Sequence, residues 1–220
     1  MSLVGKMTFY SQVIRYSHMF KRRLIETSMS VDNLNDKVKL SQEAKKDIKW
    51  WYSSIKLFNG ISWFPVEFDA STAVLIYTDA SDIAAAAVCQ DAWTVQYFDG
   101  EYEWLRTKTI AYRELYAVVL AIGTFGYSLF RSQVLMHIDN KAVQLCVAKG
   151  SSKDKDLMAL IRVLYHYTYK HAIQYESCHV YGHSNGMADS LSRNKIQLFR
   201  EMHPTANYSM SRPCRVITDF

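Results

Sequence analysis

The 220-residue sequence predicts an α/β domain preceded by a small all-helical segment. Three observations lead there. From residue 73 onward, apolar runs of strand length alternate with amphipathic stretches in the order βββαβαβα. Ahead of residue 65 the apolar residues recur at helical spacing alone. The composition, 49% hydrophobic and 14% aromatic with 8 Gly and 3 Pro, supports a real core and excludes disordered, collagen-like and linker-dominated chains.

In the first segment Leu3, Met7, Tyr10, Ile14, Phe20 and Leu24 mark one helical stripe. A second helix begins at Ser41 as N-cap, with Glu43 in its first turn and Ala44, Ile48, Trp51 and Ile55 as its apolar stripe. Asn59-Gly60 is its stop, and a polar loop around Asp32 to Asp36 separates the two helices. Ala73 to Asp79 is a continuous apolar run that predicts a central strand, followed by strands over Ile83 to Cys89 and Thr94 to Phe98. Thr109 caps a helix from Ile110 to about Phe125. Gln133 to Asp139 is the fourth strand, Asn140 to Ala148 a short helix ending at Gly150, and Asp154 to His171 an amphipathic helix. Ile173 to Tyr181 is the fifth strand, and Met187 to Ser192 opens a last helix. Residues 194–220 show no sustained period and read as a tail, ordered or not.

Residues 1–60 hold 11 Lys+Arg against 5 Asp+Glu, while residues 61–220 hold 15 against 16, so the positive excess belongs to the N-terminal quarter. Such a segment suits a polyanion, nucleic acid being the commonest, or the Lys21-Arg22-Arg23 and Lys45-Lys46 runs are solvated helix faces. Arg113 and Glu114 interrupt the longest apolar stretch, which makes it a poor membrane span. The N-terminus has no signal-peptide pattern, and an intracellular location is expected. The four cysteines form no C-x-x-C pair and read as free thiols. Cys178, His179 and His183 lack an evident fourth ligand for a closed zinc site.

The chemistry is signalled by two strands that end alike, Val74-Leu-Ile-Tyr-Thr-Asp79 and Val134-Leu-Met-His-Ile-Asp139. If these strands are sheet neighbours, Asp79 and Asp139 lie close together, and their repulsion must be offset by a cation. Glu114 shares a helix face with Ala117, Val118 and Ala121, so it points at the sheet. Asp189 opens the last helix, in Gly182-His-Ser-Asn-Gly-Met-Ala-Asp-Ser-Leu-Ser-Arg193. Four carboxylates suit a hard, oxygen-seeking cation such as Mg²⁺ or Mn²⁺. Taken singly, Asp79 and Asp139 could cap turns, Glu114 could pair with Arg113 or Lys108, and Asp189 could be an ordinary helix N-terminal acid. Their joint convergence on one sheet edge argues for a site.

Thr78-Asp79-Ala-Ser81, Arg113-Glu114-Leu115, His137-Ile-Asp139-Asn140 and Gly182-His-Ser-Asn185-x-x-Ala188-Asp189-x-Leu191-Ser192-Arg193 together resemble the ribonuclease H domain of a retroelement reverse transcriptase. Leu3-Val-Gly-Lys6, Phe20-Lys-Arg-Arg-Leu24 and Leu40-Ser-x-Glu43-x-x-x-Asp47-Ile-x-Trp50-Trp51 resemble the thumb-to-connection region of DIRS-like or Ngaro-like tyrosine-recombinase elements. The resemblance spans about residues 1–195. It divides the chain into a basic thumb- or connection-like segment (1–64), a ribonuclease H-like domain (65–195) and a C-terminal tail (196–220).

The resemblance implies a mixed five-stranded sheet flanked by helices, and hydrolysis of the RNA strand of RNA–DNA hybrids. It implies two divalent ions held by Asp79, Glu114, Asp139 and Asp189, with His183 as a candidate for assisting product release and otherwise an exposed loop residue. Ser81, Asn140 and Asn185 are candidate phosphate or 2′-hydroxyl contacts, or turn and cap residues, and Lys21, Arg22 and Arg23 candidate duplex contacts. Trp50, Trp51 and Trp63 could stack on bases, but tryptophans so placed more often pack. Ala84 to Ala87 stand where the family often has glycines, so the second strand is expected to run more regularly. The sequence contains no Asp-Asp pair, and a polymerase palm is not expected; the chain reads as a piece of a polyprotein that acts beside a polymerase part. The alternative is a silent nucleic-acid- or partner-binding remnant of the same fold.

Overall fold

A computed structural model describes residues 2–14, 17–31, 33, 37–57 and 67–216. The chain forms two compact units, Met1–Val66 and Glu67–Asp219. In the first, the described helices are α1 (Leu3–Tyr10), α2 (Arg22–Met29) and α3 (Gln42–Leu57), with a 3₁₀ turn at Ser17–Phe20. The single helix expected over residues 3–24 is therefore two. Helix α1 ends at Tyr10; beyond it the Ser11 hydroxyl donates to Met7 O at 2.8 Å and the Ser17 hydroxyl to Ile14 O at 2.6 Å.

Helix α3 starts as expected, with Ser41 Oγ accepting the Ala44 N–H at 3.1 Å. Trp51 is buried and donates its indole N–H to Phe20 O at 3.2 Å, and Trp50 stacks on the Phe20 ring at 4.0 Å. Both tryptophans thus pack within the helical unit. Trp63, the Asn59-Gly60 stop, most of the Asp32–Asp36 loop and the expected boundary at residue 64 lie outside the described residues.

The second unit carries β1 (Val74–Ala80), β2 (Ala84–Cys89), β3 (Ala92–Tyr97), α4 (Ile110–Phe125), β4 (Gln133–Ile138), α5 (Lys141–Lys149), α6 (Lys155–Lys170), β5 (Gln174–His179), α7 (Gly186–Ser192) and α8 (Ile196–Met202). The strands form one sheet in the order β3-β2-β1-β4-β5. β1 pairs antiparallel with β2, and β2 with β3, while β1 pairs parallel with β4, and β4 with β5. This is the mixed five-stranded, helix-flanked sheet expected from the sequence. The antiparallel half needs only tight turns; the parallel half needs the crossovers that α4, α5 and α6 provide.

Helix α4 is the centre of the domain. Thr109 caps it, accepting the Tyr112 N–H at 3.3 Å, and every residue from Tyr112 to Ile122 is buried. It packs on β1 and β2 on one side and on α6 on the other, which is why the sequence reads as apolar nearly all round. Ala84 to Ala87 are each fully buried, because β2 is covered on both faces. Ala84 and Ala86 pack with Leu191 of α7 and Phe199 of α8, which leaves Ala85 and Ala87, by strand alternation, on the α4 face. Short side chains let helices approach the strand from both sides, and β2 runs regularly, as the alanines suggest.

The C-terminal residues, where the sequence shows no period, are built into this core. Phe199 of α8 is fully buried with its ring 5.4 Å from that of Trp93. Beyond α8 the chain runs along the outer edge of β3: Asn207 N–H donates to Asp91 O and Ser211 N–H to Trp93 O, both at 2.8 Å, and the Thr94 hydroxyl donates to Ser211 O at 3.0 Å. A free sheet edge is thereby covered. The segment then reaches α4, where Cys214 N–H donates to Thr124 Oγ1 at 3.1 Å. A Cβ at Gly123 would lie 2.2 Å from Cys214 Sγ, so the close approach depends on glycine there. The tail expected from residue 196 onward is instead a helix and an edge-covering strap through residue 216. Its anchors, Phe199 and Ala206, are too widely spaced to register as a pattern.

Truncating Phe199 to Ala should cost about 3–5 kcal/mol, the range for a fully buried aromatic. Urea denaturation followed by circular dichroism measures it. Wild-type stability in that variant would show that α8 is not part of the core.

Candidate metal centre

Parallel pairing of β1 with β4 places Thr78 opposite Ile138, so the next residues, Asp79 and Asp139, emerge side by side at the carboxyl ends of adjacent strands. Glu114, in the second turn of α4, faces the same edge, and its carboxylate accepts the Ala80 N–H. Asp79, Glu114 and Asp139 each offer one carboxylate oxygen, and the three oxygens lie within 4.8 Å of one another. Among the described residues this is the group of acids, histidines or cysteines placed to share a cation.

The electrostatics of the cluster are unfavourable on their own. Burial, with the neighbouring Asp79 and Asp139 charges adding to it, pushes the Glu114 carboxyl up to about 9. Burial likewise raises Asp79 to about 6 against the opposing hydrogen bond from Ser192, and the Asp139 and Asp189 charges raise it further. Asp139 is also raised, again by burial first. Glu114 Oε2 and Asp139 Oδ1 are buried and accept no hydrogen bond. Among the described residues, Arg113 and Arg193 offset part of this charge from a distance, and neither forms an ion pair with the three acids. The Arg113 guanidinium turns away, donating to Ser81 O at 2.9 Å and Asp82 Oδ1 at 2.7 Å, and Lys108 pairs with Asp156 at 2.6 Å. Both partners considered for Glu114 are therefore committed elsewhere. Convergent oxygen donors, two of them orphaned, fit a hard divalent cation of the Mg²⁺ or Mn²⁺ type.

Asp189 lies near the three without joining them. It is close enough to raise Asp79 and Asp139 electrostatically, yet its Oδ1 is held by Arg193 Nε at 2.6 Å, one helical turn on. His183 lies in the exposed Gly182–Ser184 turn with its ring stacked on Tyr181, centroids 5.8 Å apart. Cys178, His179 and His183 do not assemble as a metal group among the described residues.

The candidate nucleic-acid contacts prove to be occupied within the chain. Asn185 is buried and donates its amide to Thr78 O at 3.0 Å. The Asn140 side chain caps α5, accepting the Ala142 and Val143 N–H groups at 3.1 and 3.2 Å. The Ser81 hydroxyl donates to Ser192 O at 2.6 Å while accepting the Ile83 and Ala84 N–H groups. In the helical unit, Lys21 reaches Thr8 Oγ1 at 3.4 Å, Arg22 pairs with Glu26 at 2.9 Å, and Arg23 with the buried Asp47 at 3.3 Å. Ser81 and Asn140 thus fill turn and cap roles, Asn185 makes a tertiary bond and caps nothing with its side chain, and Arg23 ties α2 to α3.

Two residues at this edge had no assigned part. His179 Nε2 lies 3.0 Å from Asp139 O at the end of β5. Ser192 is fully buried, and its hydroxyl donates to Asp79 Oδ2. The available signal for Ser192 was its i+3 spacing from Asp189 within the Leu191-Ser192-Arg193 string, which places both on one helix face.

No protein-family model matches the sequence, and no curated protein matches it. Among solved structures, the chain is similar to ribonuclease H1 of the halophilic archaeon Halobacterium salinarum NRC-1, at 19% identity and a TM-score of 0.45, covering 57% of this chain and 98% of that one. It is also similar to a foamy viral protease-reverse transcriptase solved with double-stranded DNA, at 11% identity and a TM-score of 0.28, covering 80% of this chain. The chain spans about a third (33%) of that foamy viral protein. Strand order, strand senses and the flanking helices define a ribonuclease H-like α/β fold.

Glu114 and Asp79 bind their protons more tightly in the folded chain than in the unfolded one, so they favour folding at low pH. That contribution is lost as pH rises from the ordinary values of 4.5 and 3.8 through about 9 and about 6. In chelator, thermal stability should therefore fall between pH 5 and pH 9 (~ values bracketing these shifts). Glu114→Gln should flatten the decline and raise stability at the alkaline end. A scanning-calorimetry series across pH on both proteins checks this; equal slopes would remove Glu114 as the source.

Proposed function

We propose that the chain is a divalent-metal-dependent endoribonuclease that hydrolyses the RNA strand of RNA–DNA hybrids. We read it as the ribonuclease H part of a retroelement reverse transcriptase, of the DIRS-like or Ngaro-like type, acting beside a polymerase part. One observation carries this reading: Asp79, Glu114 and Asp139 converge within 4.8 Å beside the carboxyl ends of β1 and β4.

Asp79, Glu114 and Asp139 would hold the metal, with Asp189 as the fourth carboxylate of a pair of Mg²⁺ or Mn²⁺ ions. Bound there, such ions supply activation of water and stabilisation of charge on the phosphate and the leaving 3′ oxygen. Nucleophilic side chains are then unnecessary, and the protein's task is to hold carboxylates in place. The burial of Asp79 and Glu114 keeps bulk water from screening the charges they present. His183, exposed in the turn before α7, is assigned to product release. In the helical unit, Lys21, Arg22 and Arg23 are assigned to phosphate contacts.

Cleavage of a labelled RNA–DNA hybrid in Mg²⁺ or Mn²⁺, beside single-stranded RNA and duplex DNA, tests the proposal. The RNA strand of the hybrid alone should be cut. Asp79→Asn should lower the rate by more than about 100-fold, beyond the 10–100-fold usual for groups that only support a ligand. Salt-sensitive binding of the hybrid without cleavage by the wild-type chain would favour a silent binding module instead.

A further inference from the structure

Helix α7 is fastened to the end of β1 at both of its ends. At its start, the Asn185 amide donates to Thr78 O at 3.0 Å, one residue before Asp79. At its finish, the Ser192 carbonyl accepts the Ser81 hydroxyl at 2.6 Å, two residues after Asp79. Between these clamps the Ser192 hydroxyl donates to Asp79 Oδ2. The same hydroxyl also lies 3.0 Å from Asp189 O, one helical turn back, so its single hydrogen is shared between that carbonyl and the Asp79 carboxylate. Asp189 and Ser192 therefore sit on one face of a short helix, and that face is turned to the carboxylate cluster.

Serine is an indifferent helix former, and a fully buried serine costs desolvation unless its hydroxyl is used. Here the hydroxyl engages a charged acceptor, the stronger kind of hydrogen bond. With Oδ2 committed to the helix, the Asp79 carboxylate is restrained about its terminal torsion. It meets Glu114 and Asp139 in one orientation and does not rotate to relieve their repulsion.

We propose that Ser192 is a positioning residue for the cation site. It fixes the orientation of Asp79, so that a divalent ion meets a preformed carboxylate and the site does not have to be ordered upon binding. The inference rests on the proposed cation site and adds to it a residue that touches neither the ion nor the substrate. Ser81 and Asn185 act one step further out, holding α7 where Ser192 reaches Asp79.

The test is calorimetric titration of Mn²⁺ into the full chain, comparing wild type, Ser192→Ala, Ser192→Cys and Ser190→Ala. Ser190 is the control: it is buried in the same helix, but its hydroxyl donates to Met187 O at 2.8 Å. Ser192→Ala should bind Mn²⁺ about 10-fold more weakly or worse, in the range for supporting partners of metal ligands. Ser192→Cys, with a weak S–H donor of similar size, should fall between it and wild type, and Ser190→Ala should bind as wild type does. Wild-type affinity in Ser192→Ala, or equal loss in Ser190→Ala, would overturn the positioning role and leave the cation site standing. Failure of the wild-type chain to bind Mn²⁺ would overturn the site and this role together. If Ser192→Ala does not fold, the cysteine variant decides, and undiminished affinity there would overturn the inference.

Discussion

Three carboxylates held together in a buried sheet edge are the constraint around which the second unit is arranged. Like charges at this separation, with burial added, raise one another's proton affinity and oppose folding in the ionised state. Such a cluster persists only when the elements carrying it are over-determined by packing elsewhere. Here Asp79 and Asp139 ride on neighbouring strands buried in the sheet, and Glu114 on a helix whose residues Tyr112 to Ile122 are all inside. The apolar core sustains the unfavourable geometry, and the convergent oxygens fit a hard divalent cation.

The sheet supports this through coverage on both faces. α4 lies on one side of β1 and β2, and α7 with α8 on the other, and the fully buried alanines of β2 allow both approaches. This double coverage explains the placement of the C-terminal residues. Phe199 completes the second layer, the following residues cover the edge of β3, and Cys214 reaches α4 against Gly123. Removal of the C-terminal strap would expose a strand edge as well as a hydrophobic face.

Polar residues around the cluster work as fasteners. Ser81, Asn185 and Ser192 link the end of β1 to α7, Arg113 fixes the Ser81–Asp82 turn, and Asn140 caps the helix that follows Asp139. Each makes at least one bond within the chain, while Asn185 Oδ1 and Arg113 Nε are buried without a partner. The pairs Arg22–Glu26 and Arg23–Asp47 do similar work in the helical unit, which is why a basic run there is only partly available to a polyanion.

Much of the domain was legible because its signals are local. Strand-length apolar runs ending in Asp79 and Asp139, the Thr109 cap and the periodicity of α4 and α6 are each written within one short stretch of chain. The first helix reads as continuous because hydrophobic spacing alone carries its stripe past Tyr10, where α1 ends. α8 and the strap were illegible because their partners, Trp93, Asp91 and Gly123, lie 80 or more positions away (~ a separation no periodicity window spans). By itself the sequence determined the element types and the acids that end them, since both depend on neighbours along the chain. Tertiary structure decided which acids meet and that Ser192 holds Asp79. These outcomes depend on strand register and helix placement, and on where buried charge finds its partners.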